Sequence, residues 1–204
     1  LLCLNYLEVA SSNQEFFFKL MIASHVLLAW VGAGRCLGLD YYFYNSRCIP
    51  YKKFDLIVDA FNENWKKIKI ATNTENKLYR ELKEKSNSNI EWILTSDLDL
   101  INKLHSKAKA FLFPPEEDFW LVPIAAMASW TPVIAYGRWW ALETVVSWIT
   151  WVFFEEQTIA SLNKTIGDFE KMTFNSEKIR EHAMTFDKKM FREKLTDFIS
   201  SKIG

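Results

Sequence analysis

Residues 110–136, AFLFPPEEDFWLVPIAAMASWTPVIAY, contain the pattern that decides the fold. Two short runs at residues 110–113 and 132–136 are apolar almost throughout, and they flank an acidic loop and a short segment that opens with Pro123. Proline is tolerated in the first turn of a helix, so residues 123–129 are predicted to be helical. Buried apolar strands separated by helices are typical of a parallel sheet that is covered on both faces.

The same alternation of strands and helices extends in both directions along the chain. Further strands are predicted at residues 41–45, 68–72, 90–94 and 151–154. Apolar residues that recur at helical spacing predict helices at residues 54–64, 75–85, 97–108, 141–147, 158–172, 176–185 and 188–202. The sequence therefore predicts an α/β fold, with a Rossmann-like parallel sheet and helices on both of its faces.

Composition narrows the possible functions. Lys plus Arg and Asp plus Glu each number 25, so the formal net charge is zero and no global positive field exists to attract nucleic acid. Three cysteines without CxxC spacing predict neither a disulfide framework nor a zinc site, and they favour a reducing, cytoplasmic compartment. The three histidines are scattered, and no metal site is predicted.

Residues 1–39 do not continue the alternating pattern. We predict an N-terminal remnant there, irregular or helical, followed by one domain at residues 40–204. The chain begins with Leu1 rather than Met, which favours a fragment of a longer protein. Residues 20–34 lack charged side chains but are fewer than the roughly 20 residues that span a bilayer. A buried helix and a helix lying on the membrane surface, at residues 16–34, both remain open.

Two loops carry charges that suit a ligand. Parallel sheets bind ligands at the carboxyl ends of their strands, close to the point where the strand order reverses. Arg47 and Lys52 follow the first strand, where two cations suit a diphosphate or form an ordinary solvated turn. Glu116, Glu117 and Asp118 precede the helix at Pro123, where carboxylates either cap the helix or accept sugar hydroxyls.

Four separated motifs give the chain a family resemblance. They are SRxxPYKK from Ser46, FPxEEDFxLxPI from Phe113, AMAxxxPVIA from Ala126 and LETV from Leu142. In this order and spacing they resemble the donor-binding half of family-4 glycosyltransferases with the GT-B fold, and most of all mannosyltransferase-like enzymes of polysaccharide assembly. The resemblance covers residues 40–199.

The resemblance implies a role for individual residues. Arg47 and Lys52 match the pair that neutralises the donor diphosphate. Glu117 matches the first acid of the Glu-x7-Glu motif, a catalytic position that contacts the transferred sugar. The loop whose backbone amides approach that sugar matches Phe119, Trp120 and Leu121.

Some positions depart from the family pattern. Ala125 occupies the place of the second acid, which holds the ribose hydroxyls, so nucleotide affinity is expected to suffer. The turn at Thr72, Asn73 and Thr74 has lost its glycines. A second sugar- or phosphate-facing loop is expected at Trp139 and Trp140.

The resemblance also implies a reaction and its partners. Such enzymes transfer a sugar with retention and without a metal or cofactor, from a nucleotide-sugar to a glycan or lipid-linked acceptor. By this resemblance the acceptor-binding N-terminal domain is expected to be missing here, the last helix would pack onto it, and peripheral membrane contact fits this class. The alternative is a degenerate, non-catalytic relative that has a blocked donor cleft and serves as an interaction domain.

Tryptophan stands at family glycine positions, namely Trp120, Trp130, Trp139, Trp140, Trp148 and Trp151. One hypothesis explains all six: the gene uses UGA for glycine but was translated as if UGA encoded tryptophan. Glycine would restore positive φ angles and close backbone approach in these loops. The rival hypothesis is a decayed or altered gene in which indoles fill the site.

Overall fold

Six strands form one parallel sheet in the computed structural model, which describes residues 40–117, 121–138 and 151–203. Their order is β3-β2-β1-β4-β5-β6, and all five neighbouring pairs are parallel. The strands are β1 Tyr42–Asn45, β2 Ile68–Thr72, β3 Ile90–Leu94, β4 Ala110–Phe113, β5 Val133–Tyr136 and β6 Trp151–Phe154. The predicted Rossmann-like parallel sheet is confirmed.

Helices connect and follow these strands. They are α1 Phe54–Asn64, α2 Lys77–Glu84, α3 Leu98–Lys107, α4 Leu121–Ala128, α5 Ile159–Phe169, α6 Ser176–Met184 and α7 Lys188–Ile203. Side chains of Asn76, Asp97, Thr158 and Asn175 accept amide hydrogens at the starts of α2, α3, α5 and α6. The helix predicted at residues 141–147 and the segment 1–39 lie outside the described residues.

Helix α4 begins earlier than the sequence predicts. It starts at Leu121 rather than Pro123, so the proline is the third residue of the helix. The first amides of a helix have no intrahelical acceptor, and a proline among them therefore costs no hydrogen bond. Leu121, predicted to lie in the sugar-facing loop, is therefore the first residue of α4.

Alternate side chains of β1 join helices on opposite faces of the sheet. Tyr42 packs edge-on against Phe61 of α1 and Phe169 of α5, with ring centroids 5.5 and 6.3 Å apart. Phe43 points the other way and packs against His105 of α3 at 4.8 Å. Because successive strand residues face opposite sides, the core lies on both faces of β1.

A carboxylate fastens the amino ends of the central strands. Glu170, which follows α5, pairs with Lys66 at 2.7 Å and Lys109 at 2.8 Å, and it accepts the Tyr42 hydroxyl at 3.1 Å. These partners lie in β1 or just before β2 and β4. The carboxyl ends of the same strands form the opposite edge, where the charged loops lie.

The last helix presents apolar side chains to solvent. Phe191, Leu195, Phe198 and Ile199 of α7 are all exposed. Among the described residues, no helix is both long and apolar enough to cross a membrane.

Candidate functional site

The charged loops meet where the strand order reverses. The chain runs outward from β1 through β2 to β3, then returns to place β4 on the other side of β1. The loops after β1 and β4 are therefore neighbours at one edge. Lys52 comes from the first loop and Glu117 from the second, and their side chains form an ion pair. This is the crevice in which doubly wound sheets bind ligands.

A short turn places Lys52 at this edge. Pro50–Lys52 form one turn of 3-10 helix, and Pro50 suits its first position because proline fixes φ near the helical value. The buried Tyr44 hydroxyl donates to the Lys52 carbonyl at 2.5 Å. Burial raises the pKa of Tyr44 well above its ordinary value, so the hydroxyl keeps the proton that it donates.

A second anchor holds the middle of the same loop. Asn76 donates from Nδ2 to the Cys48 carbonyl at 2.7 Å, while its Oδ1 caps α2 by accepting the Tyr79 amide. The Cys48 side chain is fully buried beneath the loop, and that burial raises its pKa to about 11. The loop that carries Arg47 and Lys52 is therefore held on the fold at two points.

The loop after β4 is held in a similar way. Pro114 and Pro115 are buried, and the Pro114 carbonyl accepts a hydrogen bond from Gln157 Nε2 at 2.8 Å. Gln157 follows β6, so this bond joins two loops on the same edge. It fixes the chain two residues before the exposed Glu116 and three before the half-buried Glu117.

The Lys52 ammonium lies in a partly buried and charged environment. Partial burial, and then the nearby Arg47 guanidinium, lower the pKa of Lys52. The Glu117 carboxylate contacts the Lys52 ammonium directly. The side chains of Lys52 and Glu117 are only 12% and 17% exposed, so their attraction is less screened than that of a surface pair.

The structure describes some of the other predicted site residues. Leu121 and Ala125 lie one turn apart on the exposed side of α4, and the Glu117 side chain lies just before this helix. Ala125 thus occupies a solvent-facing position that offers no polar side chain. Phe119, Trp120, Trp139 and Trp140 lie outside the described residues.

The turn after β2 has no need of glycine. The Thr72 hydroxyl accepts the Thr74 amide at 3.1 Å, and the Thr74 hydroxyl bonds to the Asn73 side chain at 3.1 Å. In the part of the chain that the structure describes, only Lys53, Trp65 and Trp130 are non-glycine residues with positive φ. Threonine hydroxyls therefore stabilise this turn without the glycines that the resemblance implies.

The two described tryptophans among the six behave differently. Trp130 has φ 62° just beyond α4, a conformation that favours glycine. Trp151 instead begins β6, is 2% exposed and donates from Nε1 to Met127 Sδ at 2.8 Å. Backbone conformation thus supports glycine at position 130, whereas the core packs around an indole at position 151. Trp120, Trp139, Trp140 and Trp148 lie outside the described residues.

The sequence did not reveal which residues support the site. Tyr44, Asn76 and Gln157 reach loop carbonyls 8, 28 and 43 positions away in the chain. The one local signal was Asn76, since asparagine just before a helical segment is a common cap. Within the described ranges, no group of three or more His, Cys, Asp or Glu side chains is placed to hold a metal ion.

A sequence model of the family described as "Glycosyl transferases group 1" matches residues 38–186. This chain belongs to that family. The match includes both charged loops and the whole sheet, so Lys52 and Glu117 lie inside the glycosyltransferase region. A search of curated proteins found no significant match.

Solved glycosyltransferase structures share the fold of this glycosyltransferase domain. A glycosyltransferase from Rickettsia africae is 19% identical with a TM-score of 0.67, and the match covers 78% of this chain and 47% of that one. Sucrose-phosphate synthase from Thermosynechococcus elongatus is 18% identical with a TM-score of 0.67, and the match covers 84% of this chain and 48% of that one. HepE from Anabaena, solved with UDP and glucose, is 18% identical with a TM-score of 0.65, and the match covers 83% of this chain and 51% of that one. The chain spans about half the length of these structures.

Proposed function

We propose that this chain is the donor-binding half of a family-4, mannosyltransferase-like glycosyltransferase. It would transfer a sugar, with retention, from a nucleoside-diphosphate sugar to a glycan or lipid-linked acceptor. The observation that carries the proposal is the Lys52–Glu117 ion pair at the reversal of strand order, inside a group 1 glycosyltransferase domain. A cation for the diphosphate and a carboxylate for the sugar are thereby adjacent.

Fixed cations would stabilise the leaving group. As the bond to the sugar breaks, negative charge develops on the departing nucleoside diphosphate, and donors that are already in place stabilise it without reorganisation. Lys52 is held by Tyr44, and Arg47 lies close enough to affect its pKa. In this proposal the two side chains bind the diphosphate without a metal or cofactor. Glu117 and the backbone of residues 119–121 would contact the sugar.

The acceptor side would come from the second half of such an enzyme. The match covers only about half of each of the matched structures. The exposed apolar side chains of α7, including Phe191 and Phe198, would be covered by packing against that acceptor-binding half. The acceptor and any peripheral membrane contact belong to this part of the proposal.

One observation favours the alternative, a non-catalytic relative that serves as an interaction domain. Ala125 leaves the exposed side of α4 without the acid that would hold the ribose. Together with tryptophan at positions 120, 139 and 140, this would leave the donor cleft blocked or weakly binding.

Calorimetric titration of UDP, GDP and their sugar conjugates tests both hypotheses. Three versions are compared: the chain as written, a version carrying Trp120→Gly, Trp130→Gly, Trp139→Gly, Trp140→Gly and Trp148→Gly, and that version with Ala125→Glu. Trp151 is kept because the core packs around it. We expect no measurable binding to the first version and weak binding to the second.

The third version should bind about ten- to a hundredfold more tightly than the second, because a hydrogen bond to a charged group contributes roughly 1.5–3 kcal/mol. Tight binding by the chain as written would refute a blocked cleft. No binding by the third version would refute the donor-site assignment.

A further inference from the structure

The two charged residues of the site neutralise each other. Lys52 and Glu117 form a direct ion pair across the crevice, and each is largely shielded from solvent. Glu116, the neighbouring carboxylate, is exposed. The fold thus directs one of two adjacent acids onto the lysine that a diphosphate would need.

The pair makes two binding events interdependent. An ammonium group has three donors, but its net charge attracts a second anion weakly while a carboxylate stays in contact. A diphosphate that binds Lys52 must therefore displace or weaken the Glu117 contact. A carboxylate released in this way is a strong acceptor that lies close to the diphosphate, where the attached sugar would present its hydroxyls.

We infer that the Lys52–Glu117 ion pair is a latch, which the donor diphosphate opens and which thereby makes Glu117 available to the sugar. The inference rests on the proposed function, because it assigns an order of events to the same site. It concerns specificity: a nucleotide without a sugar would break the pair and gain no partner for Glu117. A nucleotide-sugar would supply that partner and recover the lost interaction.

Inorganic pyrophosphate tests the latch directly, since it contains only the group that opens it. In calorimetric titrations with the version that carries glycine at positions 120, 130, 139, 140 and 148, adding Glu117→Gln should tighten pyrophosphate binding about tenfold, equivalent to about 1.4 kcal/mol. Glu116→Gln is the matched control, because it removes one negative charge from the next position without breaking the pair. It should change the affinity by less than about twofold, the scale expected of a screened surface charge.

Two further variants separate a latch from simple repulsion. Glu117→Asp keeps the charge but shortens the reach to Lys52. A latch therefore predicts tighter pyrophosphate binding than in the parent, whereas simple repulsion predicts no change in affinity. Lys52→Met removes the partner, so adding Glu117→Gln to it should give no gain. Circular dichroism checks that each variant folds, and pyrophosphate should raise the melting temperature of Glu117→Gln more than that of the parent.

The outcomes distinguish this inference from the proposed function. Equal effects of Glu117→Gln and Glu116→Gln, or no pyrophosphate binding by Glu117→Gln, would overturn the latch. The UDP-sugar titrations of the glycine-substituted versions decide the donor site independently. In the version with Ala125→Glu, adding Glu117→Gln should tighten UDP and reduce the preference for UDP-glucose over UDP; an unchanged preference would also overturn the latch.

Discussion

Trp65 and Trp130 end two different helices in the same left-handed backbone conformation, with φ angles of 58° and 62°. The Trp65 amide bonds to the Phe61 carbonyl at 3.1 Å, which is the single-bond form of this helix ending. At Trp130 the amide bonds to Met127 O at 2.9 Å, and the next amide, of Thr131, bonds to Ala126 O at 3.0 Å, which is the Schellman form. Glycine is the usual residue at both positions, because it lacks a Cβ.

Replacing these tryptophans by glycine should stabilise the protein or leave its stability unchanged. Trp65 is 62% exposed, so Trp65→Gly loses little burial and relieves strain of about 1 kcal/mol. Trp130→Gly should stabilise the protein less than Trp65→Gly, because Arg180 lies over the Trp130 ring at 4.0 Å and that contact would be lost. Urea unfolding of both variants measures the difference from the parent.

Trp151→Gly provides the matched comparison. It removes a buried indole from an extended strand, and it should lower the free energy of unfolding by roughly 3–5 kcal/mol. If Trp65→Gly were as destabilising as Trp151→Gly, the strain argument would be wrong. A stable Trp151→Gly would show that glycine suits that strand as well.

Mild acid should destabilise the protein through His105. This side chain is 1% exposed, packs between Phe43 and Phe111, and has a pKa lowered to about 4 by burial. The unfolded chain binds the proton near pH 6.5, so stability is full above that pH and falls as the pH drops toward 4, by about 3 kcal/mol in all. Urea midpoints between pH 7 and pH 5 measure the slope.

A variant checks the assignment. His105→Gln should flatten the dependence in that range, although the neutral amide itself costs some stability. The same substitution at His182, a partly exposed residue of α6, is the control for loss of a histidine outside the core. A parent protein with no slope between pH 7 and 5 would contradict the prediction.

Glu170 should make the stability of the protein depend on pH in a second, more acidic range. Hydrogen bonds and charges from Lys109 and Lys66 outweigh burial and lower its pKa to about 2, so its contribution is full above pH 4.5 and is lost as the pH falls toward 2. Solvent reaches this carboxylate, and we therefore expect Glu170→Gln to cost only about 1 kcal/mol at pH 7. Glu181→Gln on α6 is the exposed control, and thermal melting compares the two.

Tyr44→Phe should weaken the site and the fold together. It deletes the hydroxyl that holds the Lys52 carbonyl, which should cost about 1 kcal/mol of unfolding free energy and loosen the turn that carries Lys52. Tyr51→Phe is the control, because the ring that Lys52 overlies at 5.0 Å is kept. Pyrophosphate affinity that falls equally in both variants would contradict a positioning role for Tyr44.

Much of the sheet could be predicted from local patterns. The bounds of β2, β3 and α1 agree with the sequence to the residue, because each is a mostly apolar or helically spaced run between polar turns. The meeting of Lys52 and Glu117 followed from one further rule, that neighbouring strands of a parallel sheet share a carboxyl edge.

The remaining features depend on contacts that a local pattern does not contain. Gln157 supports the loop after β4, and this contact can be predicted only if β6 is known to end at the same edge of the sheet. The left-handed conformation of Trp65 could not be predicted, because nothing in the sequence distinguishes a tryptophan with positive φ just after a helix from one with negative φ. The early start of α4 was missed because proline can occupy any position in the first turn.

The central position of β1 has a consequence during synthesis. Tyr42 of β1 is paired with Ile68 of β2 on one side and with Ala110 of β4 on the other. A ribosome that adds ~5–20 residues per second would complete β4 about 70 residues after β1, on the order of 3–14 s later. For that interval at least one edge of β1, one of the two central strands, has no partner, and the nascent chain depends on its surroundings to keep that edge from aggregating.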